Sequence, residues 1–165
     1  MTDLCNVLFL CTGNSARSIM AEALLNVLGE GRFRAYSAGS HPSGMVQPMA
    51  AELAQAIGYD TANIRSKAWD EFATPGAPKM DIVITVCDSA AGEACPVWLG
   101  HPAVAHWGVP DPVAASGADD VRRRAYVAAF ATLRRRVELL LALPLDSLDR
   151  LATQSRLHEI GQVGA

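Results

Sequence analysis

The chain is poor in cysteine, with four in 165 residues. That is too few for a disulfide scaffold, and the spacing does not suit zinc. Cys5 and Cys11 are six apart and Cys87 and Cys95 eight apart, with no C-x-x-C and no histidine pair at ligand spacing. No metal site is expected. The chain also lacks a long apolar run: its longest candidate, Leu139 to Leu143, stops at Pro144, far short of the roughly 18 residues a membrane span needs. There is no excess of positive charge, since 14 Lys/Arg face 17 Asp/Glu for a net charge of −3. A sequence-independent nucleic-acid binder is therefore disfavoured. The chain starts without a basic stretch or small-residue cleavage site, and it has no internal repeat, low-complexity tract or long linker. These absences imply a soluble, cytoplasmic single domain with no membrane and no nucleic acid as partner.

Half of the residues are hydrophobic, so a real core can form. Short apolar runs alternate with helical periodicity, the pattern of a parallel sheet covered on both faces. Strands are expected at 6–10, 33–37, 81–86 and 104–107. Helices are expected at 18–28, 48–57 and 119–141, the last with Val121, Tyr126, Val127, Phe130, Leu133, Val137 and Leu140 at three- and four-residue steps. The stretch from Tyr59 to Lys79 reads as loop with one helical turn around Trp69 and Phe72. Arg122-Arg123-Arg124 and Arg134-Arg135-Arg136 read as a solvated helix surface. After Pro144, Asp146 can cap a further helix to about Ile160. The order predicts a small doubly wound α/β fold, whose ligands belong at the carboxyl ends of the strands.

The loop after the first strand carries the chemistry. It reads Cys11-Thr12-Gly13-Asn14-Ser15-Ala16-Arg17-Ser18. A cysteine at a strand end stands in the crevice at the sheet's carboxyl edge. Gly13 permits unusual backbone angles and Asn14 tolerates the left-handed region. Successive N–H groups can then curl around a tetrahedral oxyanion at the positive end of the following helix. Arg17, six residues past the sulfur, can clamp two anion oxygens with its planar fork. The same donors favour thiolate over thiol, which makes Cys11 a candidate nucleophile, and Ser18 can add a hydrogen bond to the sulfur.

This loop, with the C-T-G-N-S-x-R-S-x-x-A-E stretch it opens, resembles the low-molecular-weight tyrosine phosphatase superfamily, and in particular its arsenate reductase branch. The resemblance covers about residues 5–142. It implies a flavodoxin-like, four-stranded doubly wound parallel sheet with helices on both faces, occupying 1–142, with a C-terminal helical extension at 143–165. It also implies Cys11 as nucleophile, Arg17 as oxyanion clamp and residues 12–18 as the anion cradle. Asp111, in Trp107-Gly108-Val109-Pro110-Asp111-Pro112, matches the family's acidic residue. Held between two prolines, its carboxyl can give a proton to a departing oxygen.

Other residues separate two activities. Tyrosine phosphatases of this family carry a tyrosine pair after Asp-Pro, where this chain has Val113-Ala114, and a second loop cysteine near Ala16. Instead, Cys87 ends the third strand and should open toward the crevice of Cys11, with Cys95 beyond it. The thioredoxin-coupled arsenate reductases have a cysteine pair at this place, although the segment between the pair is one residue longer here, and some relatives use glutathione and glutaredoxin. The resemblance implies reduction of arsenate to arsenite: Cys11 attacks arsenate, Cys87 attacks Cys11, and Cys95 carries the disulfide to thioredoxin or glutaredoxin. No bound cofactor is implied, and phosphate or sulfate would be analogues. The alternative is a phosphatase acting through a Cys11 phospho-enzyme. Asn14, Glu22 and Ser37 resemble a shell that holds potassium beneath the loop in some relatives, and Lys67 matches the acidic position that completes it. Cys5, Trp69, Trp98 and Trp107 read as packing residues, and His41, His101 and His106 as structural.

Overall fold

The computed structural model describes residues 4–87 and 101–164; Cys95 and Trp98 lie outside them. Four strands form one all-parallel sheet: β1 (Cys5–Leu10), β2 (Phe33–Ala38), β3 (Ile82–Thr85) and β4 (Ala103–His106), in the order β2-β1-β3-β4. The central strand β1 aligns Val7 with Ala35 on one side and with Ile82 on the other, and Ile82 in turn with Ala103. This is the flavodoxin-like order, and it puts the exits of β1 and β3 side by side.

Four α-helices are described: α1 (Arg17–Leu28), α2 (Pro48–Ala56), α3 (Asp119–Leu141) and α4 (Arg150–Ile160). Pro48 sits at the start of α2, where its missing N–H costs no helical bond. Asp119 and Asp120 place negative charge in the first turn of α3, against the positive end of its dipole. Val7, Phe9, Ile82 and Ile84 from one face of the sheet form a continuous core with Met20, Leu24 and Leu25 of α1. Tyr126, Phe130, Leu133, Val137 and Leu140 of α3, and Leu157 and Ile160 of α4, complete it. The other face carries Leu8, Leu10 and Val83. Among the described residues they pack with Phe72 and Met80, and with Trp69 from the 3₁₀ turn Trp69–Phe72.

Three expectations along the helices change. Val121 and Val127 belong to the α3 periodicity, yet both are exposed, because the contact stripe follows Tyr126, Phe130, Leu133 and Val137. Arg136 is not on a solvated surface; it is buried in that stripe, next to exposed Arg134 and Arg135. Asp146 does not cap the last helix. It lies in a 3₁₀ turn, Leu145–Ser147, while Asp149 caps α4 by accepting from the Ala152 N–H at 2.7 Å. Leu143 and Leu145 pack against the main core, and the chain takes that extra turn before the helix can begin.

The C-terminal helix is an integral layer. Gln154 Oε1 accepts from the Val104 N–H at 3.0 Å, covering a donor on the free edge of β4. Fully buried Trp107 donates from Nε1 to the Leu157 carbonyl at 2.9 Å. None of the described helices is long and apolar enough to cross a membrane.

The two kinds of α3 position differ in what they bury. Leu133→Ala is expected to lower unfolding free energy by about 2–5 kcal/mol in urea titrations. Val127→Ala should change it by no more than about 0.5 kcal/mol. Equal costs would mean that the core stripe is misassigned.

Candidate active site

Residues 11–16 link the exit of β1 to the start of α1. The N–H of Cys11 still bonds to the sheet, to the Ala38 carbonyl at 3.2 Å, and its side chain is buried. The next carbonyls are engaged by neighbouring segments. Thr12 O accepts from the His41 N–H at 3.0 Å and Ser15 O from the Gln47 N–H at 2.9 Å. Gly13 O accepts from both the Ser43 N–H (3.0 Å) and the Ser66 hydroxyl (3.2 Å). With the carbonyls held outward, the N–H groups turn inward. Those of Gly13, Ser15 and Ala16 have no acceptor among the described residues. No side chain caps α1 and no acidic residue stands in its first turn, so its positive end is open to a ligand anion.

The left-handed residue is Asn14, at φ 45°; Gly13 does not need a positive φ here. Asn14 bears that conformation because its fully buried side chain is held at both ends. Its Nδ2 donates to the Ser18 hydroxyl at 2.8 Å, and its Oδ1 accepts from the Lys67 N–H at 2.9 Å. Gly39 is the glycine that matters, and the sequence reading passed over it. A Cβ there would lie 2.5 Å from the Thr12 carbonyl oxygen and 2.7 Å from that of Cys11. Only glycine lets the end of β2 come so close to the loop.

Arg17 begins α1 and turns back over the loop. Its Nη1 donates to the Val109 carbonyl at 2.9 Å, and its Nη2 stands 3.5 Å from Asp111 Oδ2. Its Nε is buried and has no partner among the described residues. A buried guanidinium N–H without an acceptor is costly, and an oxyanion in the cradle would relieve it. Asp111 is partly exposed, and its other oxygen accepts from the Val113 N–H at 3.0 Å, which aligns the carboxylate at the start of a 3₁₀ turn.

Cys87 follows β3 and meets the same loop. Its buried Sγ accepts from the Thr12 N–H at 3.2 Å, with the Thr12 hydroxyl at 3.5 Å. Cys11 and Cys87 hydrogen-bond to each other, and this changes the expected electrostatics. The shared hydrogen bond with Cys87, together with burial, pushes the Cys11 thiol up; Arg17 and the Asn14 N–H pull it down and do not prevail. The two sulfurs stand in one crevice, so the charge state of each depends on the other. Cys5 is remote from this site, partly buried, with burial as the main cause raising its thiol to about 12. Among the described residues no three His, Cys, Asp or Glu side chains are grouped to hold a metal.

Beneath the loop, Glu22, Ser37 and Lys67 converge with Asn14. Glu22 Oε1 accepts from the Ser37 hydroxyl at 2.7 Å, and the Lys67 ammonium is 3.8 Å from that oxygen, 3.5 Å from Ser37 Oγ and 2.9 Å from the Arg65 carbonyl. Burial holds the Lys67 amine below its usual range while Glu22 raises it. The sequence reading also missed Tyr59, whose hydroxyl donates to Glu22 Oε2 at 2.6 Å and accepts from Asn26 Nδ2 at 3.1 Å. It sits in a stretch without periodicity, so no local pattern marks it.

Residues 6–154 match the family model described as low molecular weight phosphotyrosine protein phosphatase. The chain is 36% identical over 114 residues to an arsenate reductase of Bacillus subtilis, covering 69% of this chain and 78% of that protein. It is 37% identical over 123 residues to arsenate reductase 2 of Staphylococcus saprophyticus, covering 74% and 89%. In three dimensions it resembles an arsenate reductase solved in a phosphate-binding state, with a TM-score of 0.63 and 28% identity over 84% of this chain and 98% of that one.

The oxygens around Lys67 already hold a cation. Replacing K⁺ with Na⁺ at fixed ionic strength should leave the melting temperature and anion affinity unchanged, and Lys67→Asp should introduce a potassium response. Strong potassium dependence of the unmodified protein, read by thermal denaturation, would show that the ammonium does not fill that place.

Proposed function

The chain belongs to the low molecular weight phosphotyrosine protein phosphatase family, and within it we propose that this protein reduces arsenate to arsenite by thiol–disulfide chemistry. The observation that carries the reading is the contact between two buried cysteines, Cys11 and Cys87, at one oxyanion cradle. A phosphatase needs one sulfur, because water resolves its phospho-enzyme and no electrons move. A reductase must collect two electrons, and a pair of neighbouring thiols can supply both. The relatives named arsenate reductase support the same substrate.

In the proposed sequence, arsenate enters the cradle of residues 12–18 and its oxygens meet the loop N–H groups and Arg17. The Cys11 proton passes to an oxygen of the bound arsenate, and Arg17 and the Asn14 N–H, which lower the Cys11 thiol, hold the thiolate that is left. Cys11 attacks arsenic, Asp111 gives a proton to the departing oxygen, and water leaves a Cys11–arsenic(V) adduct. Cys87, held by the Thr12 N–H, gives up its thiol proton, which restores the Asp111 acid, and attacks the Cys11 sulfur. The sulfur–arsenic pair stays on arsenic, which departs as arsenite, and a Cys11–Cys87 disulfide forms. Two thiols have lost two protons and two electrons; arsenate has become arsenite and water. Cys95 next attacks Cys87 and frees Cys11, and an external dithiol, thioredoxin or glutathione with glutaredoxin, reduces the Cys87–Cys95 bond. Asn14, Glu22, Ser37 and Lys67 brace the loop from below.

The test is to supply arsenate with NADPH, thioredoxin and thioredoxin reductase, then with glutathione and glutaredoxin, and follow arsenite. Cys11→Ser and Arg17→Ala should each abolish turnover, with Cys11→Ser still binding sulfate. Cys87→Ser should stop arsenite release while sparing hydrolysis of a small aryl phosphate. Cys95→Ser should accumulate a Cys11–Cys87 disulfide, visible by peptide mapping after arsenate treatment without reductant. If arsenate leaves every thiol of the unmodified protein free, an external thiol resolves Cys11 and the internal relay is wrong.

A further inference from the structure

Arg136 is the buried charge that the proposed reaction does not use. It is 5% exposed within the core stripe of α3 and makes no ion pair with any described carboxylate. Its guanidinium instead spans two backbone carbonyls. Nη1 donates to Gly108 O at 3.0 Å, and Nε to Val163 O at 3.0 Å. Burial alone holds its pKa below the usual arginine value. A methionine or leucine would fill this space without that desolvation cost. What the guanidinium adds is direction: it fastens the residue three before Asp111 to the end of the chain.

The same stretch is tied down on both sides. Upstream, Trp107 Nε1 holds the Leu157 carbonyl at 2.9 Å. Gly161 lets α4 end so close to β4 that a Cβ there would lie 2.5 Å from His106 O. Downstream, the Val109 N–H donates to Val86 O at 3.1 Å, and Val109 O accepts from Arg17 at 2.9 Å. Pro110 and Pro112 stiffen the loop locally, but stiffness does not set where it points. Its bearing comes from these anchors, and Arg136 is the one that reaches past α4, to Val163.

We propose that Arg136, braced by the Val163 carbonyl, is a positioning residue for Asp111. It holds the 107–111 loop so that the acid and Arg17 face the same bound oxyanion. This makes the segment after α4 part of the catalytic scaffold. The inference rests on the reading of Asp111 as proton donor.

The experiment uses the full chain with Arg136→Met, Arg136→Lys, Asp111→Asn, the Asp111→Asn/Arg136→Met pair, and a variant ending at residue 161. Arg136→Met should lower kcat for arsenate by at least about tenfold while KM stays within about threefold. It should flatten the pH dependence of kcat as Asp111→Asn does. The double variant should be no slower than Asp111→Asn, because both changes disable one device. Arg136→Lys, which keeps one donor, should recover part of the rate, and the shortened chain should repeat the Arg136→Met effect in a protein that keeps α4. Parental kcat and pH profile in folded Arg136→Met, or additive losses in the double variant, would overturn the proposal. Amide exchange gives a readout independent of turnover. Val109 N–H protection should fall at least about tenfold in Arg136→Met and in the shortened chain, relative to amides of β1. Unchanged Val109 exchange in both would also overturn it. If the unmodified protein fails to reduce arsenate with either donor, the functional reading fails, and the exchange result still decides the anchoring.

Discussion

The constraint on which the site depends is that a loop cannot present its N–H groups inward unless its carbonyls are satisfied elsewhere. In residues 12–15 that satisfaction comes from two separate stretches. His41, Ser43 and Gln47 donate from the segment after β2, and Ser66 from the segment before the Trp69–Phe72 turn. The end of β2 must therefore press against the loop, which is why position 39 has no side chain. Asn14 completes the arrangement by paying for one left-handed residue with two side-chain hydrogen bonds. The cradle is thus held by its surroundings, and an incoming oxyanion would find its donors already oriented.

Charge is divided across the loop in two different ways. Beneath it, Glu22 and Lys67 are both buried and answer one another, with Ser37 and Tyr59 taking the remaining carboxylate capacity. That side is closed and balanced. Above it, Arg17 has one buried donor unmet among the described residues, and its partner Asp111 is partly exposed. A site braced below and unsatisfied above is suited to take an anion from solvent, since only the upper donors gain by binding.

The two sulfurs follow the same logic. Arg17 and the Asn14 N–H pull the Cys11 thiol down. The hydrogen bond with Cys87 and burial outweigh them, so Cys11 is raised. In the proposed reaction the thiolate forms only as the bound oxyanion takes up the Cys11 proton.

Much of this was legible along the chain, because strands, helices and the C-x5-R loop are local patterns. Hydrophobic periodicity alone placed all four strands and bounded α3 at Asp119 and Leu141, and a cysteine at a strand end announced its own crevice. The convergence of Asn14, Glu22, Ser37 and Lys67 was legible through family resemblance, not through spacing. What stayed hidden were properties belonging to chain crossings. Tyr59 meets Glu22 across 37 positions, Arg136 meets Gly108 across 28, and Gly39 matters only because another backbone passes within contact of it. Arg136 shows the reason. By composition it is one of six arginines in two surface-like triplets, and a one-residue turn of 100° along α3 decides whether it meets water or the carbonyls of two distant loops. A linear pattern states which face of a helix is apolar, but the packing of other segments against that face decides which charges are enclosed with it.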